Sequence, residues 1–216
     1  VLDAARAKGL ATGTNPAGWR GHLDKLLPKR SKATRTHHAA MDYRDLPSFY
    51  KRLTEDRDSL SALALQLTIL TACRTSEVLL AEWSEFDIEN RLWTIPGKRM
   101  KAGEVHRVPL SDAGLALIDT IMRKGRGEGY LFPGARPGKP LSNMSMTMVL
   151  RKLGRGDVTV HGMRSAFRDW AAEETHYPNI VAEQALAHTV GNAVEAAYRR
   201  GDLLEKRRAL MADWAS

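Results

Sequence analysis

The spacing of apolar residues is helical in most of the chain, but in one short region it changes to the alternating pattern of β-strands. Four leucines between residues 60 and 70 recur at the spacing of a helix face, which predicts an amphipathic helix. Residues 91–95 and 105–108 instead alternate in the manner of β-strands, and the basic, glycine-containing segment 96–103 joins them. Helical spacing returns after Ser111. This order predicts a mainly helical α+β fold with one small antiparallel sheet.

The same reading gives approximate bounds for each element. Helices are predicted at 2–8, 46–53, 60–73, 75–80, 111–124, 142–152, 161–174, 178–187, 192–199 and 202–214. Thr75, Ser111 and Ser142 stand where N-caps are expected, because their hydroxyls can accept from the first turn of a helix. Residues 130–132 predict a third short strand.

The charge of the chain favours a nucleic acid partner first and another anionic surface second. Lys and Arg number 33 against 25 Asp and Glu, a net charge of +8, and residues 1–57 alone carry 12 against 6. The basic segment 28–35 has no apolar periodicity. It predicts an extended linker, which either lies along a phosphate backbone or is a solvated tether.

Several classes of protein are excluded by what the sequence lacks. The single cysteine, Cys73, excludes a disulfide framework and a multi-cysteine zinc site. There is no P-loop, no dinucleotide glycine motif and no nucleophile elbow, and the seven histidines lack metal-ligand spacing. No apolar run reaches the length of a membrane span, and the start has no signal-peptide pattern. We therefore expect neither a metal nor a cofactor.

Five isolated polar positions remain as candidates for chemistry. They are Arg74 with Glu77, Lys101 in the hairpin, His161 with Arg164, His188, and Tyr198. Taken singly, each has an ordinary interpretation: a surface ion pair, a solvated lysine, a shared helix face, a capping histidine and a half-buried tyrosine.

In this order the five positions resemble the catalytic set of the tyrosine recombinases, or phage-integrase family. Residues 38–216 resemble the catalytic domain of that family. The segments that are similar to integrases of prophages and genomic islands are 83–87, 99–101 with 108–111, and 187–192 with 197–198. The resemblance implies that residues 1–27 end a preceding core-binding domain and that 28–37 form the interdomain linker. Ala72 and Ala187 replace glycines that are common in the family, and we expect little effect from either change.

The resemblance also implies a mechanism without metal or cofactor. Tyr198 would attack a scissile DNA phosphate to form a 3′-phosphotyrosyl bond, and Arg74 and Arg164 would stabilise the charge on that phosphate. His161 and His188 would hydrogen-bond the same phosphate.

Protons must also move in such a reaction. His161 is the candidate to take the tyrosine proton, and Lys101 is the candidate acid for the leaving 5′-oxygen. Glu77 would orient Arg74 from behind.

The implied partner is double-stranded DNA at attachment sites. The predicted DNA-binding cations are Lys29, Arg30, Lys32, Arg35, Lys98 and Arg99. The resemblance also implies a free monomer that forms a homotetramer on DNA, together with accessory DNA-bending and directionality proteins. It implies a cytoplasmic, nucleoid-associated location. The helix at 202–214 is expected to pack on a neighbouring subunit.

Two other functions share parts of this pattern. A DNA-binding regulator with a retired active site would keep the fold but form no covalent adduct. A nicking and rejoining topoisomerase would use the same tyrosine chemistry as a monomer, without a specific site.

Overall fold

The computed structural model describes residues 2–27, 39–124, 128–188 and 201–216. Contacts divide the chain into two units, residues 1–37 and 38–216. In the first unit, α1 spans Leu2–Ala7, a helical turn at Trp19–Leu23 is interrupted at Gly21, and α2 spans Asp24–Leu26. None of these three segments buries a residue.

In the second unit, helices precede and follow a small sheet along the chain. Its helices are α3 Leu46–Leu53, α4 Leu60–Thr71, α5 Thr75–Leu79, α6 Asp112–Met122, α7 Ser145–Lys152, α8 Gly162–Glu173, α9 Asn179–Ala185 and α10 Leu204–Trp214. Its strands are β1 Phe86–Asp87, β2 Leu92–Ile95 and β3 His106–Pro109. The predicted mainly helical α+β class is confirmed.

Helix α4 is the centre of the second unit. It contacts α3, α5, α6, α7, α8 and α10. Every residue from Ala62 to Thr71 is buried, including Gln66 and the two threonines, whose hydroxyls donate to carbonyls one turn earlier. The prediction of an amphipathic helix was wrong here, because apolar side chains cover all sides of α4, as in a helix enclosed by others.

The three strands form one antiparallel sheet in the order β1-β2-β3. Trp93 pairs with Val108 and Ile95 pairs with His106, so the predicted hairpin is confirmed. The third strand is Phe86–Asp87 rather than residues 130–132. Tyr130 forms only an isolated bridge with Glu82, because the chain turns away on both sides of it.

Two of the three predicted caps differ from the structure. Ser111 accepts from Gly114 N at 3.2 Å, as predicted. Met144 is the N-cap of α7, and the hydroxyl of Ser142 contacts that of Ser145 instead. Arg74, not Thr75, is the N-cap of α5, because the carboxylate of Glu77 binds the Arg74 amide and fixes where the helix begins.

Helix α10 packs into the core of its own chain. Leu210 and Met211 are buried. Trp214 packs edge-to-face against Phe167 and at a tilt against Trp170, and it donates to Ile69 O at 2.7 Å. The apolar side of this helix is therefore covered within its own chain, and packing on a neighbouring subunit stays a prediction for its other sides. No helix in the described ranges is long and apolar enough to cross a membrane.

Candidate active site

Arg74 is held by one buried carboxylate. Both its Nη1 and its backbone N–H lie 2.7 Å from the two oxygens of Glu77, whose side chain is 2% exposed. The carboxylate thus caps α5 and orients the guanidinium at the same time. The Arg74 side chain keeps 21% of its surface exposed, so an anion from solvent can still reach it.

Arg164 lies between the C-terminal ends of two helices. Its guanidinium donates to Ala72 O, at the end of α4, and to Leu186 O at 2.7 Å, at the end of α9. These carbonyls have no partner within their own helices and carry the negative end of the helix dipole. Burial, together with the charge of Arg74, lowers the pKa of Arg164, but a guanidinium stays charged at neutral pH.

Each of the two arginines donates to a backbone carbonyl that lies close in sequence to the other arginine or to one of its acceptors. Arg164 donates to Ala72 O, two residues before Arg74, and Arg74 donates to Ala187 O at 3.0 Å, next to one of the Arg164 acceptors. We call the set Ala72, Arg74, Glu77, Arg164, Leu186 and Ala187 the arginine cradle. Its hydrogen bonds join three distant parts of the sequence around two positive charges.

Ala72 and Ala187 both have left-handed backbone conformations, with φ of 50° and 48°. Such angles end a helix and turn its last carbonyls outward, and glycine adopts them without the steric cost that a Cβ imposes. The two alanines noted above as replacing glycines therefore occupy the two positions where glycine is conformationally preferred. From the sequence alone we expected little effect from these alanines, whereas their backbone angles indicate a cost in stability.

His188 is oriented by the end of α9. The His188 amide donates to Glu183 O at 2.9 Å and the Ala187 amide to Gln184 O at 3.1 Å, the two bonds of a Schellman helix end. This turn brings His188 Nδ1 to 2.7 Å from Glu183 Oε2 and Nε2 to 3.2 Å from Arg164 Nη2. Because arginine can only donate, Nε2 accepts and Nδ1 carries the proton.

Glu183 completes this arrangement from behind. Its other oxygen accepts from Arg168 Nε at 2.6 Å. Burial raises the pKa of Glu183, but the hydrogen bonds from His188 and Arg168 outweigh burial and leave that pKa below its ordinary value. An ionised Glu183 therefore holds the imidazole in one tautomer. The sequence reading missed Glu183, which lies five residues before His188, outside the usual helix spacings.

His161 stands exposed at the N-terminus of α8, one turn before Arg164. Gly162 fixes the backbone there, since a Cβ at that position would collide with the main chain of Ala39 and Ala40. Thr159 pins the same segment, because its amide donates to Ala39 O at 3.0 Å. The start of α8 is thus set by backbone contacts that leave the His161 ring at the surface.

The hairpin between β2 and β3 carries three of the predicted cations. Lys98 and Lys101 are exposed, and the ammonium of Lys101 makes no hydrogen bond or ion pair with the residues the structure describes. Arg99 is different, because its side chain is 11% exposed and donates to Glu85 and to Glu77 O. This placement counts against the prediction that Arg99 contacts DNA, since both terminal nitrogens of its guanidinium bind groups inside the protein.

Two further buried groups lie near the arginine cradle. His106, on β3, is buried near Glu77 and Arg74, and burial with the charge of Arg207 lowers its pKa to about 4. Arg207, on α10, is 1% exposed and donates to Asp202 O and to Asp202 Oδ2. Asp202 also accepts two bonds from Arg107 on β3, at 2.8 and 2.9 Å. Sequence spacing gave no signal for these contacts.

The structure brings Arg74, Glu77, Arg164 and His188 together through hydrogen bonds, and it exposes the side chains of His161 and Lys101. The predicted nucleophile Tyr198 and the helix at 192–199 lie outside the described residues, as do the linker cations Lys29, Arg30, Lys32 and Arg35. Within the described residues, no group of three or more His, Cys, Asp or Glu side chains could hold a metal ion.

Comparison with known proteins agrees with this site. The model of the phage integrase family matches residues 40–203. Prophage integrase IntA of Escherichia coli K12 is 39% identical over 149 residues, which cover 68% of this chain and 36% of IntA. Prophage integrase IntZ of the same strain is 33% identical over 194 residues, 89% of this chain and 47% of IntZ. The chain belongs to the phage integrase family.

Solved structures give the same fold at low identity. The integrase of mycobacterium phage Brujita superposes with a TM-score of 0.60 at 19% identity, covering 97% of this chain and 66% of that one. A lambda integrase dimer bound to a core site gives 0.59 at 18% identity, covering 88% and 68%. The chain spans less than half the length of the curated relatives described above.

Proposed function

We propose that this chain is the catalytic part of a site-specific recombinase that cuts and rejoins DNA through a 3′-phosphotyrosyl intermediate, to integrate or excise a prophage or genomic island. The observation that carries the proposal is the arginine cradle, in which Arg74 and Arg164 are oriented by buried acceptors before any substrate is present. Residues 38–216 form this catalytic domain, residues 28–37 the linker, and residues 1–27 the end of a core-binding domain.

The arginines would stabilise charge on the phosphate. When a tyrosine oxygen attacks phosphorus, negative charge collects on the two non-bridging oxygens, and fixed cations lower the energy of that state. Guanidinium groups can grip two oxygens at once, and their acceptors in the cradle spare them the cost of reorganising. His188, held by Glu183, steers the Arg164 fork toward the same point.

The strand transfer would conserve the phosphodiester energy. Tyr198 Oη forms a bond to phosphorus, the bond from phosphorus to the 5′-oxygen breaks, and a proton from Lys101 completes the leaving 5′-hydroxyl. The phenol proton passes to a base, for which exposed His161 remains our candidate. A 5′-hydroxyl from a second strand then reverses both bond changes and frees the tyrosine.

The partner in this reaction is double-stranded DNA at an attachment site. Support comes from the relatives, among them the integrase of phage P4, 32% identical over 197 residues, 83% of this chain and 45% of that protein, and from the lambda integrase bound to its core site. We propose a monomer in solution and a homotetramer on DNA, with accessory bending and directionality proteins, in the nucleoid. The exposed Lys98 and the cations of segment 28–35 would contact phosphates.

The test is covalent capture of the DNA. The full-length protein is incubated with a nicked duplex carrying the junction of the element that encodes it, and adducts are separated by denaturing electrophoresis. The proposal predicts a protein–DNA adduct that survives denaturation and disappears in Tyr198→Phe, while the affinity for intact DNA is unchanged. Tyr177→Phe is the matched control, because its hydroxyl donates to Asp213 at 2.7 Å.

The outcomes separate the alternatives. DNA binding without an adduct on any junction tested would favour a regulator with a retired site. Adduct and supercoil relaxation on DNA that lacks the junction would favour the topoisomerase. Adduct that persists in Tyr198→Phe and disappears in Tyr177→Phe would move the nucleophile.

A further inference from the structure

The guanidinium of Arg99 joins two parts of the molecule that carry different proposed catalytic groups. Arg99 ends the turn Gly97–Arg99 at the base of the hairpin, two residues before Lys101. Its Nη2 binds the carboxylate of Glu85, whose side chain is 8% exposed, and its Nη1 donates to Glu77 O at 3.0 Å. The same Glu85 carboxylate accepts from Trp93 Nε1 at 3.0 Å in β2.

The contact with Glu77 reaches the arginine cradle directly. The Glu77 carboxylate holds the Arg74 guanidinium and amide, each at 2.7 Å. The peptide carbonyl of the same residue holds Arg99. A displacement of Arg99 therefore acts on the residue that orients Arg74, and a displacement of Glu77 acts on the hairpin.

The two sides of the hairpin also approach each other closely beside Arg99. The contacts of Arg99 therefore constrain the tip of the hairpin, which carries Lys101. The backbones at Gly97 and Gly103 approach so closely that a Cβ on Gly97 would collide with Gly103 O. Met100, between Arg99 and Lys101, is buried, and its carbonyl accepts from Gly103 N at 3.1 Å. Lys101 thus extends from a short turn whose two ends and one inner residue are fixed.

We propose that Arg99 is a positioning residue that sets where Lys101 stands relative to Arg74, through Glu85 and the Glu77 carbonyl. The inference rests on the proposed function, because Lys101 is there the acid for the leaving 5′-oxygen. Arg99 touches no substrate in this account. It fixes the position of the proton donor, Lys101, relative to the phosphate-binding arginine, Arg74.

A substrate that needs no acid isolates this role. Replacing the bridging 5′-oxygen with sulfur gives a leaving thiolate, and a thiol has a pKa of only about 8.5, so protonation hardly matters. Single-turnover cleavage is measured on matched oxygen and sulfur duplexes, both nicked to trap the adduct. The enzymes are the unmodified full-length protein and its Arg99→Met, Arg99→Lys, Glu85→Gln, Lys101→Ala and Arg74→Ala variants.

The expected pattern is selective for the oxygen substrate. Arg99→Met should slow cleavage of the oxygen duplex by about tenfold or more, and cleave the sulfur duplex within about threefold of the unmodified protein, since misplaced general acids lose part of their effect. Arg99→Lys should behave like Arg99→Met, because an ammonium keeps the charge but lacks the fork that bridges two acceptors. Arg74→Ala should be slow on both substrates.

Two further variants complete the experiment, one as a control and one as a substitute for Arg99→Met. Arg123→Met removes an arginine from an exposed pair with Asp119 on α6 and should leave both rates unchanged. Glu85→Gln keeps an acceptor for Trp93 while weakening the Arg99 pair, so it should give the same selectivity at smaller size if Arg99→Met fails to fold. Thermal melts of every variant report folding.

Each contrary outcome has a separate meaning. Equal slowing of both substrates by Arg99→Met in a folded protein would overturn the inference in favour of a general structural role. Weaker DNA binding with a salt slope reduced by about 1, restored by Arg99→Lys, would make Arg99 a phosphate contact instead.

Rescue of Lys101→Ala by sulfur without rescue of Arg99→Met would overturn the inference and leave the proposed function standing. Failure of sulfur to rescue Lys101→Ala would remove Lys101 from its role, and the positioning role of Arg99 with it. Absence of any adduct with the unmodified protein would overturn the proposed function itself.

Discussion

The arginine cradle and the tip of the hairpin differ in how far folding alone prepares them. In the cradle, Arg164 is 4% exposed and its guanidinium hydrogen-bonds to two backbone carbonyls and to His188. At the tip, Lys101 is exposed and its ammonium makes no hydrogen bond or ion pair with the described residues. One proposed catalytic cation is built into the core, and the other is carried on a tethered turn at the surface.

This difference matches the two tasks. Stabilising charge on a phosphate benefits from cations that do not need to reorganise, and burial between helix ends provides that rigidity. A proton donor for a leaving strand must reach an atom that belongs to DNA, so an exposed position is suitable. Fold stability and catalysis should therefore be coupled in the cradle and separable at the tip.

Replacement of Arg164 should have the largest effect. Arg164→Ala leaves Ala72 O and Leu186 O buried without a donor, so the free energy of unfolding should fall by about 2–4 kcal/mol. Cleavage should fall by about a hundredfold or more, beyond any loss of folded protein. Chemical denaturation and single-turnover cleavage measure the two effects.

Lys101→Ala is the matched case at the tip. Its unfolding free energy should stay within about 0.5 kcal/mol of the unmodified protein, although cleavage of ordinary DNA slows. A stability loss in Lys101→Ala equal to that in Arg164→Ala would remove the distinction between the two regions.

Lowering the pH should destabilise the arginine cradle before it affects the tip of the hairpin. The pKa of buried His106 is lowered to about 4, so between about pH 6.5 and 4 the unfolded chain binds a proton that the folded protein excludes. Stability is therefore fully present above pH 6.5 and falls as the pH drops through this window, by about 3 kcal/mol in total.

His106→Gln should flatten that pH dependence, and the exposed His176→Gln should leave it unchanged. Urea unfolding at a series of pH values tests both variants. An unchanged slope in His106→Gln would show that another group controls the acid sensitivity.

The smallest expected effect is a gain in stability. Ala72→Gly and Ala187→Gly each relieve a left-handed alanine, so each should raise the unfolding free energy by about 0.5–1 kcal/mol, after the entropy cost of glycine. Ala116→Gly, at an exposed position inside α6, should instead lower it by about 1 kcal/mol. Destabilisation by all three would mean that the two alanines carry no strain.

The comparison also explains which features could be read from the sequence. Periodicity predicted the helices and the hairpin because apolar spacing responds directly to burial. It extended α9 to residue 187, whereas the helix ends at Ala185, because the usual stop signal, glycine, is an alanine there. The turn that brings His188 back over Glu183 was therefore hidden.

Arg99 shows a second limit. A basic residue in a basic loop looks like a DNA contact, and only the fold reveals that Glu85, 14 positions earlier in sequence, lies beside it. Residues 130–132 have strand-like composition, but strand formation depends on a partner, and Phe86–Asp87 occupies the edge of the sheet beside β2. Long-range partners decide both cases, and a single sequence does not contain them.

The central claim is that folding alone fixes the guanidinium of Arg164, whereas an exposed arginine such as Arg123 is not fixed in this way. Nuclear magnetic resonance of arginine side chains in the protein without DNA tests this most directly. We predict that the Arg164 guanidinium protons exchange slowly with water and show hindered rotation, whereas those of exposed Arg123 exchange fast. Exchange of the Arg164 protons as fast as those of Arg123, becoming slow only after DNA is added, would contradict a cradle formed in advance.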